Sequence, residues 1–480
     1  MLRPLLCLIS SILPAAAAPP NLVVVYADDL GWKDTGYNGS DYYETPNLDR
    51  MAREGMNFHQ GYAAAGNCAP SRASLHSGTY SPRHHVFAVN DTNRGPKSFQ
   101  RLIPIPNKSG LAPENITLAD ALKSAGYATG IFGKRHLDGR EGASPSEQGF
   151  DVVFESQKGS PDIRRDRPED PKGIFSITKA AGDFMEQSKT AGKPFFAFVS
   201  HHGIHVALEA RPASLGKFKA KAPGKQHNSP LYAACLYDLD EGVGRLLARI
   251  KELGLAENTL VVFTSDNGGT QQSSQEPLRG NKGGYYEGGI RVPFITYWPG
   301  TIQPGGESQV PVSHVDLFPT FLSAAGAAVP TSKVLDGESL LPLLKKSGTL
   351  SRHSLFWHFP GYLDGPVTRG RESDVRLGFR SRPLSVIRKG GWKPHLFHEE
   401  WQLDGGRVKY PANGAIELYD LSKDPGERTD LAAHESAKAN ELLDDLLGWI
   451  KSSEAPMPDQ PNPAYNPQAA ANALVPIIGK

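Results

Sequence analysis

The sequence predicts an α/β protein: a mostly parallel sheet sandwiched by helices, followed by a smaller C-terminal α+β subdomain of antiparallel strands and a helix. Continuous apolar runs of strand length alternate with amphipathic helical patterns, which is the signature of βαβ units. The first of these runs shows no polar alternation, as expected for a strand buried on both faces. Several runs end abruptly in charged or amide residues, and ligands of open parallel sheets collect at the carboxyl ends of the strands.

Taken in order, the chain opens with "MLRPLLCLISSILPAAAAPP", in which Arg3 precedes an apolar run from Leu5 to Leu13 and then small residues. This predicts a signal peptide over residues 1–18 and an exported protein, with Cys7 too early for a lipidation site. In "NLVVVYADDLGW" the buried run Leu22 to Ala27 ends in Asp28 and Asp29. "ITLADALKSAGYATGIFGK" and "AAGDFMEQSKTAGKPFFAFVSHH" each read as helix then strand. "GVGRLLARIKELGLAENTLVVFTSDNGG" repeats the pattern with a strand over Leu260 to Thr264. Asp28, Asp29, Lys134, His136, His201 to His205, Asp266 and Asn267 should therefore converge on one rim.

In the second half, Gly/Pro-rich connections fall around Tyr297 to Glu307, and a loop is expected from Phe359 to Arg382. "LSVIRKGGWKPHLF" and "AIELYDLSKDPGE" read as short strands joined by turns, and "AKANELLDDLLGWIKSS" as a terminal helix. The expected organisation is a large domain over 19–370, a subdomain over 371–455, and an extended or mobile tail over 456–480.

The 480 residues are 21% charged and 39% hydrophobic with a formal net charge of +1, the balance of a soluble globular protein with no call for a nucleic-acid partner. No segment after the leader is long and apolar enough to predict a membrane span. Removing the leader leaves two of the three cysteines, Cys68 and Cys235, so no disulfide framework is expected. Cys235 lies in a helical pattern and reads as a small buried thiol. Cys68 stands among polar turn residues in "GNCAPSRASLHSG", where an unpaired thiol in an exported chain marks a candidate reactive group.

Two carboxylates ending one buried strand need compensation. With Asp266 and Asn267 ending another, they offer an oxygen-rich set suited to a hard divalent cation, calcium or magnesium. Arg72, Lys134, His136, His205 and Lys282 share the predicted rim. Cations ringing a metal site make sense when an anion sits between them, and a sulfate or phosphate ester fits.

"CAPSRASLHSG" is similar to the Cys-x-Pro-Ser-Arg signature of type I sulfatases, and "GYATGIFGKRHL" resembles their second signature. "VVVYADDLGW", "FTSDNGG", "LRGNKGGYYEGGIRVPFITYWPG", "HVDLFPTFLSAAG" and "LDGESLLPLL" match further segments of that family, so the resemblance runs from about Asn21 through the C-terminal subdomain. It implies an alkaline-phosphatase-like fold and a sulfuric ester hydrolase. It also implies that a dedicated maturation enzyme oxidises Cys68 to Cα-formylglycine, whose hydrate is both nucleophile and metal ligand. Asp28, Asp29, Asp266 and Asn267 would complete a calcium site, with magnesium the alternative. Arg72 would hold the modified side chain, and Lys134 and Lys282 the sulfate oxygens. His205 would protonate the departing sugar oxygen, with His201 and His202 as competitors for that role, and His136 would serve as base in the second half-reaction.

The chain departs from the family where Leu75-His76-Ser77-Gly78-Thr79 replaces a common Leu-x-Thr-Gly-Arg, and where Val206-Ala207 stands near a common proline. "LFWHFPGYL" resembles segments of sulfatases acting on sulfated polysaccharides, which favours a sulfated carbohydrate substrate. The expected location is periplasmic, secreted or cell-surface, or lysosomal or extracellular in a eukaryote. The competing readings are a phosphate or phosphonate ester hydrolase of the same superfamily, and a non-catalytic binding protein for sulfated glycans.

Overall fold

The structure, a computed structural model, describes residues 18–137, 139, 142–154, 167–367 and 369–473. The expected signal peptide, apart from Ala18, lies outside the described residues. The large sheet is built from β1 (Asn21–Ala27), β2 (Met56–Phe58), β3 (Ala128–Gly133), β4 (Val152–Phe154), β5 (Phe195–Ser200), β6 (Thr259–Ser265), β7 (Phe294–Tyr297) and β8 (Gly306–Ser308). Their spatial order is β4-β3-β5-β1-β6-β7-β2-β8. Within this sheet only β7 runs antiparallel to its neighbours. The central strand β1 pairs in parallel with β5 and β6, with Tyr26 opposite Ser200 and Ala27 opposite Ser265, so three strands end at one level.

All seven residues of β1 are buried, because the strand feeds a core on each face. Val23, Val25 and Ala27 point toward the helices Ile174–Thr190 and Pro230–Glu252, packing with Ile177, Met185, Leu239 and Val243. Leu22, Val24 and Tyr26 point the other way, toward Leu118–Ser124 and Leu317–Ala325, packing with Leu122, Phe318 and Phe321. Each fully buried Val or Leu contributes about 1.5–3 kcal/mol, which favours apolar residues on both faces of this strand. The helices have local punctuation too. Ser229 accepts from the Tyr232 N–H ahead of Pro230, and Thr117 with Asp120 forms a capping box. Cys235 is buried in the long helix, as expected.

The smaller sheet consists of β9 (Ser354–Phe359), β10 (Leu384–Lys389), β11 (Trp392–Phe397) and β12 (Ile416–Asp420), antiparallel in that order. Its edge strand β9 thus starts upstream of residue 371. The helix Ser436–Ser452 covers one face, setting Ala439, Leu442, Leu443 and Leu446 against Ile387, Leu396 and Leu418. The segment expected as a loop from Phe359 to Arg382 is more structured than its Gly and Pro content suggests. It holds a two-stranded ladder, Leu363–Asp364 with Phe379–Ser381, and a short helix, Glu372–Arg376. After residue 455 the described chain is hydrogen-bonded to the segment Ser98–Ile103 and forms a short helix at Pro467–Asn472. Ile103 N–H donates to Gln460 O, Asn462 N–H to Arg101 O and Asn466 N–H to Ser98 O, each at 2.9 Å. Among the described residues no helix is long and apolar enough to cross a membrane.

Candidate active site

Cys68 is the first residue of a buried helix, Cys68–Ser77, that enters the carboxyl rim of the large sheet. The helix ends at Gly78, whose φ of 68° closes the last turn through an N–H bond to Ser74 O at 2.8 Å. A Cβ at Gly78 would lie 2.8 Å from Phe318 Cβ, so packing as well as conformation favours glycine there. Residues four apart share a helix face, which is why Arg72 points into the same space as Cys68. The helix N-terminus also aims its free N–H groups and positive dipole end at that space.

The Arg72 guanidinium is fully buried and organises the floor. It donates to Asp266 Oδ2 from Nε at 3.0 Å and from a terminal nitrogen at 2.7 Å, and to Lys134 O and Ser200 Oγ at 2.8 and 2.6 Å. Asp28, Asp29, Cys68 and Asp266 each place one ligand-type atom within 4.8 Å of the others. Cys68 Sγ lies 3.7 Å from Asp28 Oδ1 and 4.0 Å from Asp29 Oδ1. Lys134 Nζ pairs with Asp28 Oδ2 at 2.7 Å, and Lys282 Nζ with Asp29 Oδ1 at 2.7 Å. Asn267 donates to Asp29 Oδ1 at 2.8 Å, while its buried Oδ1 has no hydrogen-bond partner among the described residues.

Charge crowding separates the carboxylates. Burial raises the Asp28 pKa, but Lys134 and Arg72 outweigh it and hold this group well below its ordinary value. Burial and the neighbouring Asp28 push Asp266 up, against the pull of Arg72. Burial, reinforced by Asp266, pushes the Cys68 thiol up to about 12, so it stays protonated at neutral pH. Asp29 and His136 both adopt left-handed backbone, with φ of 68° and 63°. Such residues are uncommon and cluster at functional sites. Asp29 is held there by its own N–H, which donates to Asp266 Oδ1 at 3.1 Å.

Lys282 arrives on a loop docked by its backbone. The Lys282 N–H donates to Gly269 O at 2.9 Å and the Gly283 N–H to Gly66 O at 2.6 Å. A Cβ at Gly66 would approach Gly284 O to 2.6 Å, so the close approach of the two loops favours glycine. A cavity of about 280 Å³ opens above the cluster, with Cys68, Asp29, His136, His205 and Lys282 in its walls. His205 Nε2 is 3.8 Å from Asp29 Oδ2. Burial, then Lys134 and Arg72, depress the His136 pKa to about 3, and its Nδ1 is buried without a partner among the described residues.

Asp28, Asp29, Arg72, Lys134, His136, His205, Asp266, Asn267 and Lys282 thus gather around Cys68. His201 and His202 end the same strand, but neither lines the cavity, and burial lowers them to about 4 and about 3. The departures from the signature also separate. Ser77 and Thr79 pair hydroxyl to hydroxyl at 2.8 Å away from the cavity, whereas Val206 forms part of its wall. The sequence reading missed Arg94, Gln271, Gln272 and Arg380, which also line that wall. They sit in segments with no periodic pattern, and a cationic "GFRSR" in a presumed loop was the one available hint.

The comparisons agree with this geometry. The sulfatase family model matches residues 20–327. Human arylsulfatase A is 33% identical, over 90% of this chain and 87% of its own length. Mouse N-acetylgalactosamine-6-sulfatase is 31% identical, over 95% of this chain and 90% of its own. Among solved structures, Ps i-CgsB in complex with k-i-k-neocarrahexaose superposes with a TM-score of 0.72 at 26% identity, covering 92% of this chain and 94% of that one. With the family model matching residues 20–327 and relatives above 30% identity covering most of the chain, the protein belongs to the sulfatases, hydrolases of sulfate esters.

Proposed function

We propose that the chain is an exported, calcium-dependent sulfatase of sulfated carbohydrates, with magnesium the alternative ion, and that a maturation enzyme converts Cys68 to Cα-formylglycine. The observation that carries the reading is the placement of Cys68. It is a buried thiol at a helix N-terminus, within 4.8 Å of three carboxylates and flanked by Arg72, Lys134 and Lys282. With a pKa near 12 the unmodified thiol is a poor nucleophile, which supports a modified side chain as the working group. The hydrate of that aldehyde supplies the attacking hydroxyl.

The donor set fits a hard cation. Three clustered carboxylates, each also paired with a lysine or arginine, and the unpartnered Asn267 Oδ1 form the kind of oxygen-donor set a hard cation takes. Asp28, Asp29, Asp266, Asn267 and residue 68 would hold the ion, which supplies Lewis acidity toward the sulfate and lowers the proton affinity of the attacking hydroxyl. Lys134 and Lys282, largely buried ammonium groups, offer fixed positive charge to the non-bridging sulfate oxygens. Arg72, fixed on Asp266 one helical turn from Cys68, would hold the modified side chain. His205, in the cavity wall, would protonate the leaving sugar oxygen; its rivals His201 and His202 lie outside the cavity and burial lowers them, which favours His205. His136, also in the cavity wall, would take the base role in the second half-reaction.

The carbohydrate half rests on the names of relatives that act on N-acetylgalactosamine sulfate or bind a neocarrahexaose, and on the matching β9 segment. Mass spectrometry of the tryptic peptide spanning Cys68 should show an aldehyde, and nitrophenyl sulfate should turn over faster than nitrophenyl phosphate. A clear preference for phosphate would move the chain to the phosphate and phosphonate ester hydrolases. Calcium should raise the Tm of the wild type and not of Asp29→Asn.

A further inference from the structure

The cavity above Cys68 has a second cationic wall, built outside the rim. Arg380, in the strand Phe379–Ser381, and Arg94 line it beside the apolar Val89, Val206 and Leu363. Arg94 pairs with Asp364 at 2.7 Å. Arg380 forms no ion pair among the described residues, and its Nε is buried there without a hydrogen-bond partner. Glycines hold its side chain in place of a counter-ion. A Cβ on Gly365 would lie 2.8 Å from an Arg380 terminal nitrogen, and one on Gly283 would lie 2.7 Å from Arg380 Cδ. Gly283 directly follows Lys282, so one loop sets both the rim lysine and the Arg380 slot.

A guanidinium largely removed from water with no carboxylate in ion-pair contact is destabilising, and Arg94 adds like charge, which Asp364 and Asp29 at longer range offset only in part. An anion entering the cavity would remove that cost. The scissile sulfate would already have Lys134 and Lys282, which Asp28 and Asp29 hold at 2.7 Å, whereas Arg380 makes no ion pair with a rim carboxylate, Asp29 acting on it only at longer range. We propose that Arg380, assisted by Arg94, reads a second anionic group, a carboxylate or a further sulfate, on the sugar bearing the scissile ester or on its neighbour. The substrates are then polyanionic glycans rather than singly sulfated neutral sugars. The planar fork of a guanidinium matches two oxygens of either group, and the apolar residues beside it suit the C–H face of a sugar ring. This inference rests on the sulfatase reading of the same cavity.

Calorimetric titration of the full chain carrying Cys68→Ala, in calcium buffer, tests it without requiring maturation. Three matched disaccharides serve as probes: one with a single sulfate, one with that sulfate and a uronate carboxylate, and one with two sulfates. At least one doubly charged ligand should bind about 10- to 100-fold more tightly than the singly charged one, and which of them does so identifies the oxyanion. Arg380→Gln should remove most of that difference. Arg94→Gln, changing a side chain that is 39% exposed, should narrow it severalfold and decides the matter if Arg380→Gln does not fold. Equal affinity for all three ligands would overturn the inference. So would an Arg380→Gln loss of equal size on every ligand, since Arg380 would then be holding the scissile sulfate. Failure of all three to bind would overturn the sulfated-glycan reading itself, and this inference with it.

Discussion

Two buried ionic clusters of this molecule look alike in composition and differ in construction. At the rim, Asp28, Asp29 and Asp266 converge on Cys68 among Arg72, Lys134 and Lys282. At the seam between the large and small sheets, Lys393 lies between Glu287 and Glu427, at 2.9 and 3.0 Å, and His395 adds a contact to Glu427 at 3.0 Å. In the seam each carboxylate oxygen has a donor. Glu287 takes Lys393 and the Tyr62 hydroxyl, and Glu427 takes Lys393, His395 and the Glu287 N–H. Lys393 is 0% exposed, whereas Lys134 and Lys282 are 11% and 14% exposed and the rim opens to a cavity. Buried charge alone therefore does not mark a site. Paired carboxylates and an unpartnered polar atom occur in both clusters, Asn267 Oδ1 at the rim and His395 Nδ1 in the seam. Access from solvent, and a third carboxylate gathered around Cys68, set the rim apart from the closed seam, which reads as a fastening.

The sharpest way to break that contrast is to remove the rim thiol. Cys68→Ala should abolish sulfate ester hydrolysis, by about 10⁴-fold or more in kcat, while Tm moves by no more than a few degrees. Hydrolysis at the wild-type rate would eliminate Cys68 as the nucleophile. The mirror experiment is Lys393→Met. Removing the ammonium leaves two buried carboxylates facing each other and should cost about 3–5 kcal/mol of stability by denaturant titration. The kcat of the fraction still folded at low temperature should stay within severalfold of wild type. A variant as stable as the parent would mean that the seam is not the fastening described.

A smaller effect sharpens the rim itself. His205→Gln should slow hydrolysis of sugar sulfates about 100-fold, because a sugar alkoxide is a poor leaving group and needs a proton. Nitrophenyl sulfate, whose leaving group needs little help, should lose less than about tenfold. Equal losses on both substrates would show His205 to be a binding residue and not the acid.

The rim was legible in the sequence because its residues sit at the ends of apolar runs and the parallel sheet collects those ends. Asp28 and Asp266 follow β1 and β6, and Lys134 follows β3, so a one-dimensional pattern fixes a three-dimensional address. Cys68 and Arg72 are four apart on a helix, which sets one beside the other. What lay beyond reach has a common cause. β2, β4 and β8 are only three residues long, too short for periodicity, and antiparallel β7 is only four. Arg94 and Arg380 reach the cavity through loop packing, and Arg380 depends on Gly283 and Gly365, nearly a hundred residues and fifteen residues away respectively. The seam was not legible as an ion cluster: Lys393 is a single charge in a strand, Glu287 opens a short helix inside a family-like segment and Glu427 lies in a turn, and nothing in the one-dimensional pattern brings the three together.

The smallest expected effect concerns the pH response of the seam. Burial, only partly offset by Lys393 and compounded by Glu287, raises the Glu427 pKa to about 7. A carboxyl raised on folding favours the protonated state, so its contribution to stability is fully present below the unfolded value near 4.5 and is lost as pH rises through about 7. His395 works in the opposite sense. Burial, with Lys393, holds it well below its ordinary value, so its contribution is present above about 6.5 and falls away toward acid. The wild-type Tm blends the two and is a poor readout. The difference between wild type and Glu427→Gln isolates the first, because glutamine stays neutral throughout. That difference should favour wild type more at pH 5 than at pH 8, by a few degrees. A difference independent of pH would mean that Lys393 keeps Glu427 ionised across the range, and that the seam, unlike the rim, holds its two carboxylates on one ammonium without needing a proton.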